Sequence, residues 1–471
     1  MTRSGRTPLS RLIVMTRFPA PGCAKTRLAP VLGEEGAAAL HSDLARHCVR
    51  RMHAAALSGA AELEIRATGA PARAVRRWLG RDVPVREQCG GDLGARLAAA
   101  AHSALASGVP SVVLVGSDAP DLSGAHVRAA LEALDGRGAD VALGPATDGG
   151  YYLASVSARS ADRALTALFG DHIPWGTERV LDVTLAALRA SGLAVHLLED
   201  ALPDVDRPDD LAVWDRFLVE EERVRTQARL SVVIPALNEK ADIAEAVASA
   251  REAGACEVIV ADGGSSDGTA DLATRAGARV VRTERGRARQ LNAGAAVATG
   301  DILLFLHADT RLPAGAHAHV QRVLSDPHVV LGSFRFAAGD PDSLLDRLIS
   351  GIGSWRHRVF RLPYGDQGAF VRTRDFLDLG GFPDLPVMED YEFALRCSRL
   401  GGLAVAPAVA RTSARAWHDH GVLRTTLTNA TVIAGYRLGI SPETLATWRR
   451  RIAGRNGPDT TAAPLSEGGL L

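Results

Sequence analysis

The sequence has few of the residue types that mark specialised protein classes. It contains five cysteines in 471 residues, and 5% of its residues are aromatic. The cysteines are widely separated and lack the spacing of a metal or redox motif, so we expect reduced thiols. Lysine plus arginine and aspartate plus glutamate number 54 each, which gives a formal net charge of zero. This balance predicts no nucleic-acid partner, and an anionic substrate must be held by local groups.

Long apolar runs are also scarce. The first apolar stretch, residues 12–15, is too short for the core of a signal peptide. No segment reaches the roughly eighteen apolar residues that a membrane-spanning helix needs. We therefore expect a cytoplasmic protein. The end of the chain is rich in Gly, Pro, Asp and Thr, which predicts a disordered tail over residues 455–471.

The sequence does contain the same pattern twice. A short apolar run that ends near a proline opens each half, at residues 11–16 and at residues 229–235, and leads into an alanine-rich helical pattern. A later apolar strand in each half runs into an acidic end, at Asp118 and at Asp309. Strands that alternate with helices predict α/β domains with mostly parallel sheets. Ligands then bind beyond the carboxyl ends of the strands, where both aspartates would lie.

The length of the chain suits two domains, each with its own core. A charged stretch at residues 220–229 predicts the joint between them. We place the first domain at residues 8–222 and the second at residues 229–454.

Four segments of the second half carry chemistry. They are the strand end at 235–239, the Gly, Ser and Asp loop that follows the strand at 258–262, the basic turn at 286–294, and Asp309 at the end of a buried strand. Glycines let a backbone approach a ligand, a carboxylate accepts hydrogen bonds from a nucleoside, and arginines suit phosphate oxygens. Taken singly, each segment is also explained as a turn, a cap or a solvated face. Together and in this order, they favour a nucleotide-sugar site.

Over residues 230–400 these motifs resemble the family 2 glycosyltransferases, which have the GT-A fold. The resemblance implies a nucleotide-sugar donor site formed by Pro235, Asn238, Glu239, Asp262, Gly263, Ser265, Asp267 and Arg289. It also implies a divalent metal, Mg²⁺ or Mn²⁺, at the family's Asp-x-Asp segment. Here that segment reads His307-Ala-Asp309, so we expect Asp309 to keep the metal role. His307 is predicted to be a metal ligand or a phosphate donor.

Two later segments resemble the acceptor-side loop and the catalytic segment of the same family. Residues 365–368 are similar to the acceptor-side loop and contain Gly365, Asp366, Gln367 and Gly368. Glu389 and Asp390 open a helix in a segment similar to the catalytic one. We expect Asp390 to act as the general base and Glu389 to position it, which implies inversion at the anomeric carbon. The alternative is that both residues merely cap the helix.

A basic amphipathic pattern with a tryptophan covers residues 341–363. It indicates either a helix that packs over the active site or peripheral contact with the inner face of the membrane. Further along, Arg415 is a candidate cation for the leaving diphosphate.

In the first half, the segment at residues 19–27 lacks the glycines of a P-loop, so we reject that motif. The order of motifs over residues 10–215 resembles instead the nucleotidyltransferase-like family of cofactor-pathway guanylyltransferases, including the DUF2064 group. The resemblance implies that Lys25 and Arg27 meet phosphates of a nucleoside triphosphate. It assigns Asp118 and Asp206 to a metal, and Asp148, Gly149 and Gly150 to the second substrate. The opening loop lacks the closely spaced glycines of a full nucleotidyltransferase, so an inactive nucleotide-binding scaffold is the alternative.

The whole sequence therefore predicts two tandem GT-A-like, Rossmann-like domains of the nucleotide-diphospho-sugar transferase type. We expect a metal-dependent inverting glycosyltransferase fused to a domain that makes or binds its activated sugar. Similar pairs carry family labels for arsenosugar biosynthesis, and the second half also resembles carotenoid glycosyltransferases. The acceptor is not identified by the residues. The alternative from another class is a nucleotide-sugar-binding scaffold without turnover.

Overall fold

The computed structural model of the chain describes residues 9–80, 83–339, 343, 346, 367–413 and 422–452. The chain divides into two compact units. The first comprises Met1–Glu222 together with Asp375–Gly380, and the second comprises Arg223–Arg374 together with Gly381–Leu471. The division after Glu222 falls within the charged stretch, inside a helix that runs over Leu211–Gln227.

The first unit is built from alternating strands and helices. Its strands are β1 (Ser10–Arg17), β2 (Ala61–Thr68), β3 (Val85–Glu87), β4 (Ser111–Val115), β5 (Val141–Pro145), β6 (Tyr151–Ser157) and β7 (Val195–Leu197). Its helices are α1 (Ala29–Leu57), α2 (Ala72–Leu79), α3 (Leu93–Leu105), α4 (Gly124–Asp135), α5 (Ala161–Phe169), α6 (Val180–Ala190) and α7 (Leu211–Gln227). Helix α1 bends at Gly33, whose φ of 72° interrupts the helical backbone.

The strands form one sheet in the order β3-β2-β1-β4-β6-β5-β7. Strand β1 is parallel to β2 and β4, and β6 is antiparallel to β4 and β5. Along β1, Leu12 and Val14 face one apolar core, and Ile13 and Met15 face another. Successive side chains of a strand point to opposite faces, so both faces of this sheet are covered. This explains why the strand reads as a continuous apolar run.

The second half of the chain repeats the alternation. Its strands are β8 (Leu230–Ala236), β9 (Glu257–Asp262), β10 (Arg279–Arg282), β11 (Ile302–Phe305), β12 (Thr310–Arg311), β13 (Val329–Ala338), β14 (Ala369–Arg372) and β15 (Gly402–Thr412). Its helices are α8 (Ile243–Glu252), α9 (Thr269–Arg275), α10 (Arg287–Ala296), α11 (Ala316–Leu324), α12 (Thr373–Asp378), α13 (Glu389–Leu400), α14 (Val422–Arg437) and α15 (Pro442–Ile452).

The second sheet has the order β10-β9-β8-β11-β14-β13-β15-β12. Apart from the short edge strand β12, this order repeats that of the first sheet position by position. Strand β8 is parallel to β9 and β11, while β14 is antiparallel to β11 and β13. The predicted class is therefore confirmed: both sheets are mixed, mostly parallel and interleaved with helices.

Some sequence-based predictions lie outside the described residues. They are the acceptor-side residues Gly365 and Asp366, the amphipathic segment 341–363 apart from two described positions, Arg415, and the tail 455–471. Within the described part of the chain, no helix is both long and apolar enough to cross a membrane.

A close approach between two strands explains one glycine of the second core. Gly332 on β13 pairs with Phe370 on β14, and a Cβ atom at Gly332 would lie 1.9 Å from the Phe370 ring. The next residue, Ser333, is fully buried, and its hydroxyl has no hydrogen-bond partner among the described residues. We therefore expect substitution by alanine to have different effects on stability at Gly332 and at Ser333.

We expect Gly332→Ala to lower the free energy of unfolding by about 1–3 kcal/mol, because the ring of Phe370 must move within a packed core. We expect Ser333→Ala to leave this free energy unchanged or to raise it, because the substitution removes an unsatisfied buried hydroxyl. Urea denaturation of the two variants beside the parent chain measures both effects. Equal destabilisation by the two substitutions would contradict this packing.

Candidate active sites

In the second unit, two loops that follow β8 and β9 are tied together by hydrogen bonds. Asn238 has a φ of 57°, and its side-chain Oδ1 accepts from the backbone N–H of Ser266 at 2.9 Å. Its own N–H donates to Ser265 Oγ, also at 2.9 Å. The N–H of Glu239 donates to the Thr269 hydroxyl at 2.9 Å. The structure therefore brings together four predicted donor-site residues, Asn238, Glu239, Ser265 and Asp267, since the N–H of Lys240 also donates to Asp267.

Asp262 ends β9 beneath these loops. It is 3% exposed, and its carboxylate accepts from the backbone N–H groups of Gly264 and Ser265 at 3.2–3.3 Å. These contacts fix the carboxylate at the carboxyl end of the parallel strands. Pro235, the neighbouring predicted residue, is half-buried in β8 and pairs with Ala261 in register.

Helix α10 contains the basic segment, and several of its side chains bind the backbone of other elements in the same unit. Gln290 is buried and donates to the carbonyl oxygens of Ala236 and Ala261, which join the ends of β8 and β9. A Cβ atom at Gly263 would lie 3.0 Å from this amide, so the packing of Gln290 accounts for that glycine. Asn292 exchanges two hydrogen bonds with the backbone of Phe382, in the loop before α13.

The two arginines of this segment make ion pairs with carboxylates. Arg287 contacts Glu389, and its NH2 lies 3.2 Å from Asp390 Oδ2. Arg289 pairs with Glu284 at 2.6 Å and with Asp384 at 2.9 Å. The sequence-based prediction placed Arg289 at the donor phosphates and overlooked Arg287. The structure places Arg287, rather than Arg289, against the predicted catalytic pair.

Glu389 and Asp390 form the first turn of α13. Met388 precedes them with a φ of 72°, and the positive end of the helix dipole favours carboxylates at this position. The Glu389 side chain is 4% exposed and that of Asp390 is 22% exposed, so Asp390 is the more accessible of the two. A small, largely apolar pocket reaches Asp390, and its other lining residues include Arg287, His307, Phe305 and Phe393.

Asp309 and His307 differ in their fitness as metal ligands. The Asp309 carboxylate accepts from the Thr310 hydroxyl at 3.3 Å and makes no ion pair with any described residue. His307 Nε2 lies 3.4 Å from the NH1 of Arg287, so a positively charged group lies beside this nitrogen. Within the described ranges, no group of three or more His, Cys, Asp or Glu residues is arranged to hold a metal ion. A single carboxylate such as that of Asp309 is nevertheless compatible with Mg²⁺, because this ion is usually bound by one or two carboxylates together with substrate phosphates.

On the acceptor side, Gln367 is 2% exposed, and its Oε1 lacks a hydrogen-bond partner among the described residues. Gly368 follows with a φ of 59°, and a Cβ atom there would lie 3.2 Å from the Phe334 ring. Glycine is therefore required at this position by the backbone and by the packing.

In the first unit, Lys25 lies between two of the predicted metal ligands. Its ammonium is 3.0 Å from Asp118 and 3.6 Å from Asp206, and its side chain is 4% exposed. Arg27 contacts the other oxygen of Asp206 at 2.6 Å. The structure thus brings together the four residues predicted for this site, with a lysine cation where the prediction has a metal.

The pKa values of two carboxylates near Lys25 are shifted in opposite directions. Desolvation alone would raise the pKa of Asp118, but Lys25 and His41 together hold it well below its usual range. Burial raises the pKa of Asp204 to about 6, and the negative charge of Asp148 acts in the same direction. Asp204 and His41 were not predicted as site residues. Asp204 lies two residues before the predicted Asp206, whereas His41 has no sequence signal beyond its place on α1.

The predicted second-substrate residues lie in a tight turn between β5 and β6. Asp148 Oδ1 accepts from the N–H of Gly150 at 2.9 Å. Gly149 has a φ of 86°, and a Cβ atom there would lie 2.1 Å from the carbonyl oxygen of Glu178. Packing and backbone conformation therefore explain the glycine at position 149 without reference to a ligand.

Comparison with known proteins identifies the two halves. Residues 51–177 match the family described as uncharacterized protein conserved in bacteria, DUF2064, and residues 231–373 match glycosyl transferase family 2. Uncharacterized glycosyltransferases of Mycobacterium tuberculosis and Mycobacterium bovis are 35% identical over 156 residues, which is 32% of this chain and 71% of theirs.

Among solved structures, a nucleotide-diphospho-sugar transferase described from Desulfovibrio desulfuricans is 34% identical, covering 47% of this chain and 92% of that one with a TM-score of 0.41. The glucosyl-3-phosphoglycerate synthase of Mycobacterium tuberculosis, crystallised with Mn²⁺ and UDP-glucose, is 24% identical. That likeness covers 42% of this chain and 73% of the other, with a TM-score of 0.31.

The chain is thus a glycosyltransferase. It belongs to family 2 through its second half and carries a DUF2064 domain in its first half.

The burial of Lys25 generates a prediction about stability. We expect Lys25→Met to lower the free energy of unfolding by about 1–3 kcal/mol, because it removes the buried cation that contacts Asp118 and leaves Asp206 paired with Arg27. The figure is below that of a fully buried pair because Asp118 and Asp206 are 41% and 34% exposed. The control is Arg27→Met, which removes a cation that is 55% exposed and is expected to cost about 0–1 kcal/mol. Thermal unfolding measures both, and an equal or larger loss for Arg27→Met would contradict the assignment.

Proposed function

We propose that the second unit is a metal-dependent, inverting glycosyltransferase that uses a nucleotide-diphosphate sugar as donor. The observation that carries this proposal is the accessible Asp390 carboxylate at the start of α13, beside a buried Glu389. Asp390 takes the proton of the acceptor hydroxyl. The acceptor oxygen then bonds to the anomeric carbon as the bond to the diphosphate oxygen breaks, and the nucleoside diphosphate leaves. One displacement with one base gives inversion.

The donor nucleoside binds at the tied loops after β8 and β9. Asp262 and the neighbouring Asn238, Glu239 and Ser265 offer carboxylate, amide and hydroxyl groups within one connected network. Such a network holds polar groups in fixed directions, which suits recognition of a base and a ribose. Of the remaining predicted donor residues, Pro235 lies in β8, and Gly263 and Asp267 lie in the loop after β9. Arg289 lies on α10, where it pairs with Glu284 and Asp384.

Asp309 is the residue that would hold a divalent metal, and the metal, when bound, supplies charge neutralisation for the departing diphosphate. Its carboxylate makes no ion pair with described residues, which supports this role. His307 remains a weaker ligand prediction, because Arg287 lies against its Nε2.

Two substitutions separate donor binding from transfer. We expect Asp390→Asn to retain donor binding but to lose at least about 100-fold in transfer rate, because it removes the general base. We expect Asp309→Ala to abolish the part of donor binding that depends on Mn²⁺. The control is Asp384→Asn, which changes a carboxylate that is 60% exposed and belongs to the same unit.

Binding is measured as the thermal shift caused by a panel of UDP-, GDP- and dTDP-sugars, with and without Mn²⁺. Transfer is measured as release of nucleoside diphosphate from the donor so selected, in the presence of a small-molecule cell extract as the source of acceptors. Full activity of Asp390→Asn would exclude this residue as the base. A Mn²⁺-dependent shift that persists in Asp309→Ala would exclude the metal assignment.

For the first unit, we propose nucleotidyl transfer to a sugar 1-phosphate, which would supply the donor that the second unit consumes. The supporting observation is the cluster of Lys25, Asp118, Asp204 and Asp206 beyond the carboxyl ends of β1 and β4. The substrate phosphate attacks the α-phosphorus of a nucleoside triphosphate, and pyrophosphate leaves. If the domain only binds nucleotides, it acts as a scaffold instead.

We expect pyrophosphate release when the chain is given a panel of nucleoside triphosphates and sugar 1-phosphates. Asp118→Ala should abolish it, because the substitution removes a carboxylate that contacts Lys25 at 3.0 Å within the proposed cluster. Asp121→Ala, at an exposed carboxylate of the same loop, should not. Nucleotide binding without pyrophosphate release would support the scaffold, and release that survives Asp118→Ala would refute the assignment of that residue.

A further inference from the structure

The guanidinium of Arg287 contacts three separate side chains of the second unit. Its Nε contacts Glu389 Oε1, its NH2 lies 3.2 Å from Asp390 Oδ2, and its NH1 lies 3.4 Å from His307 Nε2. Arg287 is the first residue of α10, whereas the carboxylates open α13 and His307 follows β11. One side chain therefore joins three elements that meet at the proposed reaction centre.

Only an arginine can make this arrangement. Its guanidinium is planar and rigid, and it presents donors in several fixed directions, whereas a lysine ammonium is a compact point charge on a flexible stem. The arrangement also has an energetic reason, because Glu389 is 4% exposed and a buried carboxylate is costly without a cation. Arg287 supplies that cation from within the chain.

Asp390 is held from two directions as a result. One carboxylate oxygen accepts from the N–H of Tyr391 at 2.8 Å, and the other faces Arg287. We propose that Arg287 is a positioning residue for the proposed glycosyl transfer, which locks Glu389 and through it aims Asp390 at the acceptor hydroxyl. This inference rests on the proposed function of the second unit.

Arg251 provides a comparison within the same unit. It lies near the end of α8, is exposed, and donates to the carbonyl oxygen of Ala276 at 3.4 Å. Among the described residues it contacts neither Glu389 nor Asp390. Its replacement therefore removes the same charge without altering the proposed catalytic pair.

The test compares the full-length parent chain with Arg287→Gln, Arg287→Lys, Arg287→Ala and the control Arg251→Gln. We measure kcat and donor KM from nucleoside diphosphate release, and donor affinity from the thermal shift. We expect Arg287→Gln to lose about 10- to 100-fold in kcat with donor KM and affinity little changed, because a misplaced base slows the chemical step. Arg287→Lys should recover little of the loss, and Arg251→Gln should keep the parent kcat.

Two further measurements distinguish positioning from a structural role. Millimolar guanidinium chloride should raise the kcat of Arg287→Ala, and the same concentration of sodium chloride should not. Arg287→Gln combined with Glu389→Gln should lose little more than one substitution alone, because residues that act as a unit are not additive.

The proposal is overturned if Arg287→Gln raises donor KM at unchanged kcat, which would make Arg287 a diphosphate ligand. It is also overturned by additive losses with Glu389→Gln, or by parent-like kcat. Circular dichroism checks folding, and Arg287→Lys, which keeps the charge, carries the test if the neutral variants do not fold. Parent-like activity of Asp390→Asn would refute the proposed function itself. Loss in Asp390→Asn with full activity in Arg287→Gln would refute this inference alone.

Discussion

The parallel pairing of a central strand with two neighbours is the constraint on which both candidate sites depend. In the second unit β8 lies between β9 and β11, and in the first unit β1 lies between β2 and β4. Parallel strands end at the same edge of a sheet, so the loops that follow them must converge there. In one unit Asp262 ends β9 and Asp309 follows β11 at this edge, and in the other the Lys25 loop meets Asp118.

Each unit also contains buried or partly buried carboxylates, and each pairs them with a cation of its own. Carboxylates removed from water are stable only when paired, and both units place a basic side chain among them. In the first unit this is Lys25, which is almost fully buried. In the second unit it is Arg287, whose guanidinium contacts two carboxylates and a histidine. The compact ammonium and the planar guanidinium suit the different numbers of partners.

Much of this could be predicted from local sequence patterns. The apolar strands, the acidic strand ends and the helix that starts at Glu389 are all signalled by residues close together in the chain. The pairing of Arg287 with Glu389 is not, because 102 positions separate them and either arginine of the segment could point at a phosphate. The role of Gln290 in joining β8 and β9 could not be predicted for a similar reason, since its partners are backbone carbonyl groups of those two strands. The sequence predicts that Gly149 and Gly263 face ligands. Close contacts with neighbouring atoms already explain why a glycine stands at each position.

The internal cations have a consequence for how ligands arrive. Lys25 and Arg287 compensate at short range the carboxylates that they contact, and the chain as a whole carries no net charge. Long-range steering, which accelerates the encounter of oppositely charged partners, is therefore expected to be small. We expect association with an anionic nucleotide to be governed by ordinary diffusion and by the exchange of contacts at close range. Its rate constant should vary little with ionic strength.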